Sequence, residues 1–184
     1  MSALAFAWIL FVTVFVLGHL RVRGQRGGGP PKENRVRKDS RSNAGLLLQA
    51  AALTIALAFE LPRRVEWAPA VWILAFGSVA LAAWSLWALG RQWRIQAVIT
   101  DDHELITTGP YRFVRHPVYL ALLGMMAATS LWRGPLLPSL LSIAVYVAGT
   151  EVRVRAEDGI LAQAFGEKFE AWRRRTPAYL PGIR

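Results

Sequence analysis

The sequence predicts an all-α integral membrane protein: about five transmembrane helices, the last two a helical hairpin, followed by a C-terminal interfacial helix. Three observations carry that expectation. First, 54% of the 184 residues are hydrophobic, 8 are Trp, and the mean hydropathy is +0.30, which is more apolar than an ordinary soluble chain. Second, the apolar residues fall in runs close to the roughly 20 residues that cross a bilayer. Third, the formal net charge of +10 comes from Lys and Arg crowded between those runs. A basic chain can bind nucleic acid, but this spacing is that of the cytoplasmic loops of membrane proteins. No nucleic-acid partner is expected. Cysteine is absent, which excludes disulfides, thiolate metal sites and a cysteine nucleophile. No metal is expected either.

The elements follow in order. Ala3 to Leu20 is the first span, interrupted only by Thr13 and His19. It lacks preceding basic residues and a small-residue cleavage pattern, so it reads as an anchor rather than a signal peptide. Arg21, Arg23 and Arg26 set its C-terminal end in the cytoplasm, with the N-terminus outside. In the loop at 24–43, Gly27 to Gly29, Pro30 and Pro31 break any helix, and Lys32, Arg35, Arg37, Lys38 and Arg41 form a basic run suited to anionic headgroups. Ala44 to Leu61 is the second span, with Gln49, Thr54 and Glu60 as polar members and Pro62 as its stop. Arg63, Arg64 and Glu66 make a short outer loop, and Ala68 to Leu89 is the third span. Residues 1–89 thus group the N-terminal membrane helices around a basic cytoplasmic loop at 21–43.

Residues 90–184 form the second part of one structural unit. Val118 to Trp132 and Leu136 to Val152, joined by Arg133-Gly134-Pro135, read as a tight hairpin. Its second arm returns to the cytoplasm at Arg153. Asp158 to Arg175 places Leu161, Phe165, Phe169 and Trp172 on one helical face, as an interfacial or capping helix does.

A polar block at 103–119 precedes the hairpin. It holds His103, His116, Tyr111, Tyr119, Arg112 and Arg115 beside long apolar runs. Such a cluster is costly unless it meets a membrane face or lines a site. Gly109-Pro110 signals a turn, and Pro117 suits the first position of a helix. Free N–H groups at that helix start, with Arg112 and Arg115, suit a ligand carrying carboxylate or phosphate. At the far end of the hairpin, Arg153 and Glu157 are four apart and share a helical face.

The run Thr108-Gly109-Pro110-Tyr111-Arg112-Phe113-Val114-Arg115-His116-Pro117-Val118-Tyr119, followed by Arg153-x-x-x-Glu157-Asp158 and Phe165-Gly166, resembles the isoprenylcysteine carboxyl methyltransferase family, a group of membrane methyltransferases related to phospholipid N-methyltransferases. The resemblance spans roughly residues 90 to 181. It implies a small helix bundle that takes S-adenosylmethionine at its cytoplasmic side and a lipophilic acceptor from the bilayer. It implies cofactor contacts from Gln96, from His103, Glu104, Leu105 and Ile106, from Tyr111, and from His116, Pro117, Val118 and Tyr119. Glu157 is implied as a further cofactor contact and Arg153 as a substrate contact, the two being the catalytic pair. On this resemblance, 90–184 is the methyltransferase core, in the cytoplasmic membrane of a prokaryote, with membrane lipids as its surroundings. The sequence departs from the family pattern at Ala121, where glycine is usual, at Glu157-Asp158 in place of two glutamates, and at Phe169 and Trp172, where tyrosines are common. Those departures bear on the acceptor: a carboxylate such as that of an isoprenylcysteine, a lipid amine or a thiol. The competing readings are an NADPH-dependent membrane reductase on a related bundle, a non-catalytic membrane protein keeping the motif for packing, and, more weakly, a haem protein.

Overall fold

The computed structural model describes residues 3–25, 37–38, 40–58, 68–93, 98–99, 104–133 and 135–179. Six helices account for most of them: α1 (Ala3–Gln25), α2 (Arg41–Ala58), α3 (Ala68–Leu89), α4 (Pro117–Arg133), α5 (Leu136–Phe165) and α6 (Glu167–Arg173). A two-residue antiparallel pair, Arg37–Lys38 with Val98–Ile99, ties the segment before α2 to the segment after α3.

Three stretches, Leu4–Gly24, Ala68–Leu89 and Leu136–Phe165, are long and apolar enough to cross a membrane, and Pro117–Trp132 is a shorter apolar helix. Several hydroxyls along the helices are satisfied within their own helix. Thr13 donates to the carbonyl of Ile9, Thr54 to Ala50, Ser78 to Leu74 and Ser85 to Leu81, as an environment without water demands. Large apolar side chains face outward without protein cover: Leu47 is 72% exposed, Ile73 75% and Leu137 78%. In water such a surface would associate or aggregate; against lipid tails it is at rest. The chain is an all-α membrane protein.

Packing sets two ends to the bundle. At one end, Trp8 donates to Thr129 and the Trp72 and Trp132 rings lie 4.9 Å apart. At the other, Arg21 lies over the Trp87 ring and the His19 ring sits 5.9 Å from Trp93. That second end also receives the start of α2, the start of α4 and the latter half of α5. The α2/α5 crossing there is unusually close. A Cβ on Gly45 would lie 2.6 Å from the Gly149 carbonyl, and one on Gly149 would lie 2.7 Å from the Gly45 carbonyl. Only hydrogen fits at both positions, so the two backbones touch.

The hairpin has a longer second arm than the sequence reading gave it. The helix expected to stop at Val152 runs without a break to Phe165, and the single C-terminal helix expected over 158–175 is divided at Gly166. The cause is local. Nothing between Val152 and Phe165 interrupts helical hydrogen bonding, whereas Gly166 has φ +51, a left-handed turn that side-chain-bearing residues rarely take. At 1.5 Å per residue α5 is about 45 Å long, against a hydrocarbon core of about 30 Å, so its last turns reach beyond the apolar layer. Glu157 and Asp158 lie on that stretch, with Arg153 one turn before it.

Candidate active site at the open end of the hairpin

The polar block enters α4 through a 3-10 turn at Gly109–Arg112. Gly109 takes φ +61, which a side chain would strain, and sits against Ala88 and Trp84 of α3, so the turn is pressed onto the bundle. Tyr111 is then buried with Phe169 and Trp172 of α6, and Leu105 and Ile106 pack half-buried against the same cluster. Trp172 Nε1 donates to the Tyr111 carbonyl at 3.3 Å. Burial, and secondarily the charge of Glu157, push the Tyr111 hydroxyl well above its ordinary range, so it stays protonated at any physiological pH.

His116 stands at the head of α4, buried, with a carboxylate on each ring nitrogen. Nε2 meets Asp158 Oδ1 at 2.9 Å and Nδ1 meets Glu157 Oε2 at 3.3 Å. Burial alone would lower its pKa. The hydrogen bonds to Asp158 and Glu157, with their charges, outweigh burial and raise it to about 9, so the ring is an imidazolium at neutral pH. Asp158 holds Arg115 as well, through Nη2 at 2.9 Å. Tyr119, one turn into α4, donates its hydroxyl to Glu157 Oε1 and accepts from Arg153 Nε at 2.9 Å. Arg153 also lies over the Tyr119 ring, 5.1 Å from its centroid, and its Nη1 reaches Gln49 Oε1 of α2 at 3.4 Å. Gln49 in turn donates to Thr150 at 2.9 Å.

The two acidic neighbours therefore differ in kind. The Asp158 side chain is 5% exposed and engaged by Arg115 and His116, while the Glu157 side chain is 25% exposed at the edge of the same network. Asp158 is internal wiring. Glu157 is the carboxylate a ligand can reach.

Of the residues expected from sequence, His116, Tyr119, Arg153 and Glu157 come together in one hydrogen-bonded set, and Leu105, Ile106 and Tyr111 form the apolar cluster beside it. Pro117 is fully buried at the helix start, Glu104 is exposed, and Val118 turns away toward Val22, Leu86 and Trp93. Gln96 and His103 lie outside the described residues.

One expectation is narrowed. The N–H groups of Arg115 and His116 are not open to an anion. They donate to the carbonyls of Pro177 and Ala178, each at 2.8 Å, where the chain beyond α6 runs as a strap along the start of α4. The Arg115 side chain is likewise spent internally, on Asp158 and on the carbonyls of Thr176 and Arg173. These two donors and this guanidinium are therefore spent inside the fold. Arg112 is exposed, its guanidinium 5.0 Å from the Phe113 ring. The sequence reading also assigned no role to Asp158 or Gln49 and did not foresee the strap. A glutamine within an apolar run was the one available signal for Gln49.

Among the described residues, no group of three or more His, Cys, Asp or Glu side chains is placed to hold a metal ion. The residues present do fit S-adenosylmethionine in chemistry. A partly exposed carboxylate beside a tyrosine ring suits an ammonium and a sulfonium, and the half-buried Leu105 and Ile106 offer apolar surface to an adenine.

The chain is similar to several known proteins. The chain is 35% identical over 101 residues to the cobalt-zinc-cadmium resistance protein CzcN of Cupriavidus metallidurans, covering 54% of this chain and 46% of that protein. It is 32% identical over 115 residues to the nickel-cobalt-cadmium resistance protein NccN of Alcaligenes xylosoxydans xylosoxydans, covering 61% and 53%. It is 32% identical over 82 residues to the protein-S-isoprenylcysteine O-methyltransferase of Schizosaccharomyces pombe, covering 45% and 35%. The chain thus spans about half the length of the curated relatives it matches, or less. Residues 70–163, from α3 to within two residues of the end of α5, match the model of the isoprenylcysteine carboxyl methyltransferase family, and the chain belongs to that family.

Proposed function

We propose that this chain is an integral-membrane methyltransferase that uses S-adenosylmethionine to methylate a lipophilic acceptor at the cytoplasmic face of the membrane. The observation that carries the reading is the partly exposed Glu157 carboxylate, held by His116 and Tyr119 and linked through Tyr119 to Arg153, at the end of an apolar hairpin. Family membership and the likeness to a protein-S-isoprenylcysteine O-methyltransferase support it. The basic segments at 21–43 and 90–94, at and after the C-terminal ends of α1 and α3, support the cytoplasmic side.

When bound, S-adenosylmethionine supplies an electrophilic methyl group on a sulfonium. The chain's part is positioning, which carries most of the rate in an in-line displacement. Glu157 holds the ammonium. Tyr119 and Tyr111 would supply aromatic contact to the cofactor, with Leu105 and Ile106 as apolar support. Arg153 orients the acceptor, by a bidentate pair if the acceptor is a carboxylate. His116 is held as an imidazolium and Tyr111 as a neutral phenol, so neither is a ready proton acceptor at neutral pH. This favours an acceptor that is already anionic, a carboxylate or a thiolate, over an amine.

Calorimetry on the detergent-solubilised chain tests the reading. S-adenosylmethionine and its demethylated product should bind and NADPH should not. Glu157→Ala and His116→Ala should weaken binding, and Arg153→Ala should leave the cofactor bound while abolishing transfer in a labelled-methyl screen of prenylcysteines, lipophilic acids, thiols and lipid amines. Absence of binding by the unaltered chain would refute it.

A further inference from the structure

Arg153 and Glu157 lie one helical turn apart, the spacing at which an arginine and a glutamate ordinarily pair. Here both meet the Tyr119 hydroxyl. The Tyr119 hydroxyl stands between them, and the guanidinium is drawn toward α2, where its Nη1 meets Gln49 Oε1 at 3.4 Å. Gln49 is buried, and its amide nitrogen is fixed by Thr150 at 2.9 Å, so its oxygen has one orientation. One turn earlier on the same face of α2, a Cβ on Gly45 would fall 2.5 Å from Arg153 Cγ, so the α2 backbone lies directly on the arginine stem. Helix α2 therefore grips Arg153 twice, by contact and by hydrogen bond. Gln49 lies outside residues 70–163, the part of the chain that the family model matches.

We infer that Gln49 is a positioning residue of the cofactor site: by holding Arg153 toward α2, it keeps the guanidinium off Glu157 and leaves that carboxylate for the ammonium of the cofactor. The inference rests on the cofactor reading above and adds to it a residue from α2. Without the Gln49 carbonyl, the buried guanidinium loses its hold on the α2 side, and Glu157, one turn along its own helix, is an acceptor at pairing distance in sequence. The guanidinium then competes with the ligand's ammonium for the same oxygens.

The test is calorimetry on the full chain in detergent with two probes, S-adenosylhomocysteine, which carries the ammonium, and 5′-methylthioadenosine, which lacks it. Gln49→Met is expected to weaken S-adenosylhomocysteine about tenfold and to leave 5′-methylthioadenosine within about twofold. Gln49→Glu, which keeps an acceptor for Arg153, is expected to stay within about twofold of the unaltered chain for both probes. In the Arg153→Met background, adding Gln49→Met is expected to change nothing, because no guanidinium is left to compete. Should Gln49→Met fail to fold, Gln49→Asn, polar but one methylene too short to reach Arg153, replaces it. Unchanged affinity for S-adenosylhomocysteine in a folded variant overturns the inference, and so does an equal loss for both probes, which marks a merely structural role. Failure of the unaltered chain to bind either probe is a different result, because it removes the cofactor reading itself.

Discussion

His116 and Asp158 meet at 2.9 Å in a buried pair that joins the head of α4 to the far end of the hairpin. The pair settles the charge state of the site. With Glu157 on its other nitrogen, the imidazole is more basic in the folded chain, about 9, than its ordinary 6.5. Its contribution to stability is therefore fully present below pH 6.5 and is lost as pH rises through 9. The shift corresponds to on the order of 3 kcal/mol. Thermal unfolding in detergent should show the melting temperature falling between pH 7 and pH 10, with the fall much reduced in His116→Gln.

Arg115 shares Asp158 with His116 and has no route to water. Replacing Asp158 with Asn should cost about 3–5 kcal/mol, because it leaves a buried guanidinium without its counter-charge. The double replacement Arg115→Met with Asp158→Leu should recover a large part of that loss. A double-mutant cycle on thermal or denaturant unfolding measures both, and simple additivity would show the pair to be uncoupled.

The α2/α5 crossing admits nothing larger than hydrogen at Gly149, where a Cβ would meet the Gly45 carbonyl at 2.7 Å and the Gln49 nitrogen at 3.1 Å. Both are backbone atoms and cannot turn aside. Gly149→Ala should therefore part the helices and cost about 1–3 kcal/mol, as overpacking does. A melting temperature equal to that of the unaltered chain would count against the close crossing.

Tyr119 links Arg153 to Glu157 through one oxygen. Tyr119→Phe keeps the ring that lies under Arg153 and removes only that oxygen. Affinity for S-adenosylhomocysteine should fall about tenfold, with the melting temperature lowered by no more than a few degrees. Calorimetry and thermal unfolding on the same sample separate the two effects.

The sequence foretold the helices well where composition is decisive. The run at 68–89 matches α3 from end to end, and Pro117 opens α4 as its ring geometry requires. The membership of His116, Tyr119, Arg153 and Glu157 in one set was also readable, since a hairpin returns its far end to its starting level. What escaped depends on contacts without local signature. Gln49 reaches a partner 104 positions away, and Arg115 reaches a carbonyl 61 positions away. The ordering of the two carboxylates, Asp158 inside and Glu157 at the edge, depends on which face of one helical turn meets α4. Spacing alone does not resolve that.

The strap from Thr176 to Tyr179 has a consequence for how the protein comes into being. Arg115 and His116 emerge from the ribosome long before Pro177 and Ala178, whose carbonyls their N–H groups require. The hairpin can insert into the bilayer while the site is still half-built, with the Arg115 guanidinium and two backbone donors waiting on residues not yet synthesised. A nascent chain arrested before residue 176 therefore holds its helices without the two carbonyls that fix the head of α4.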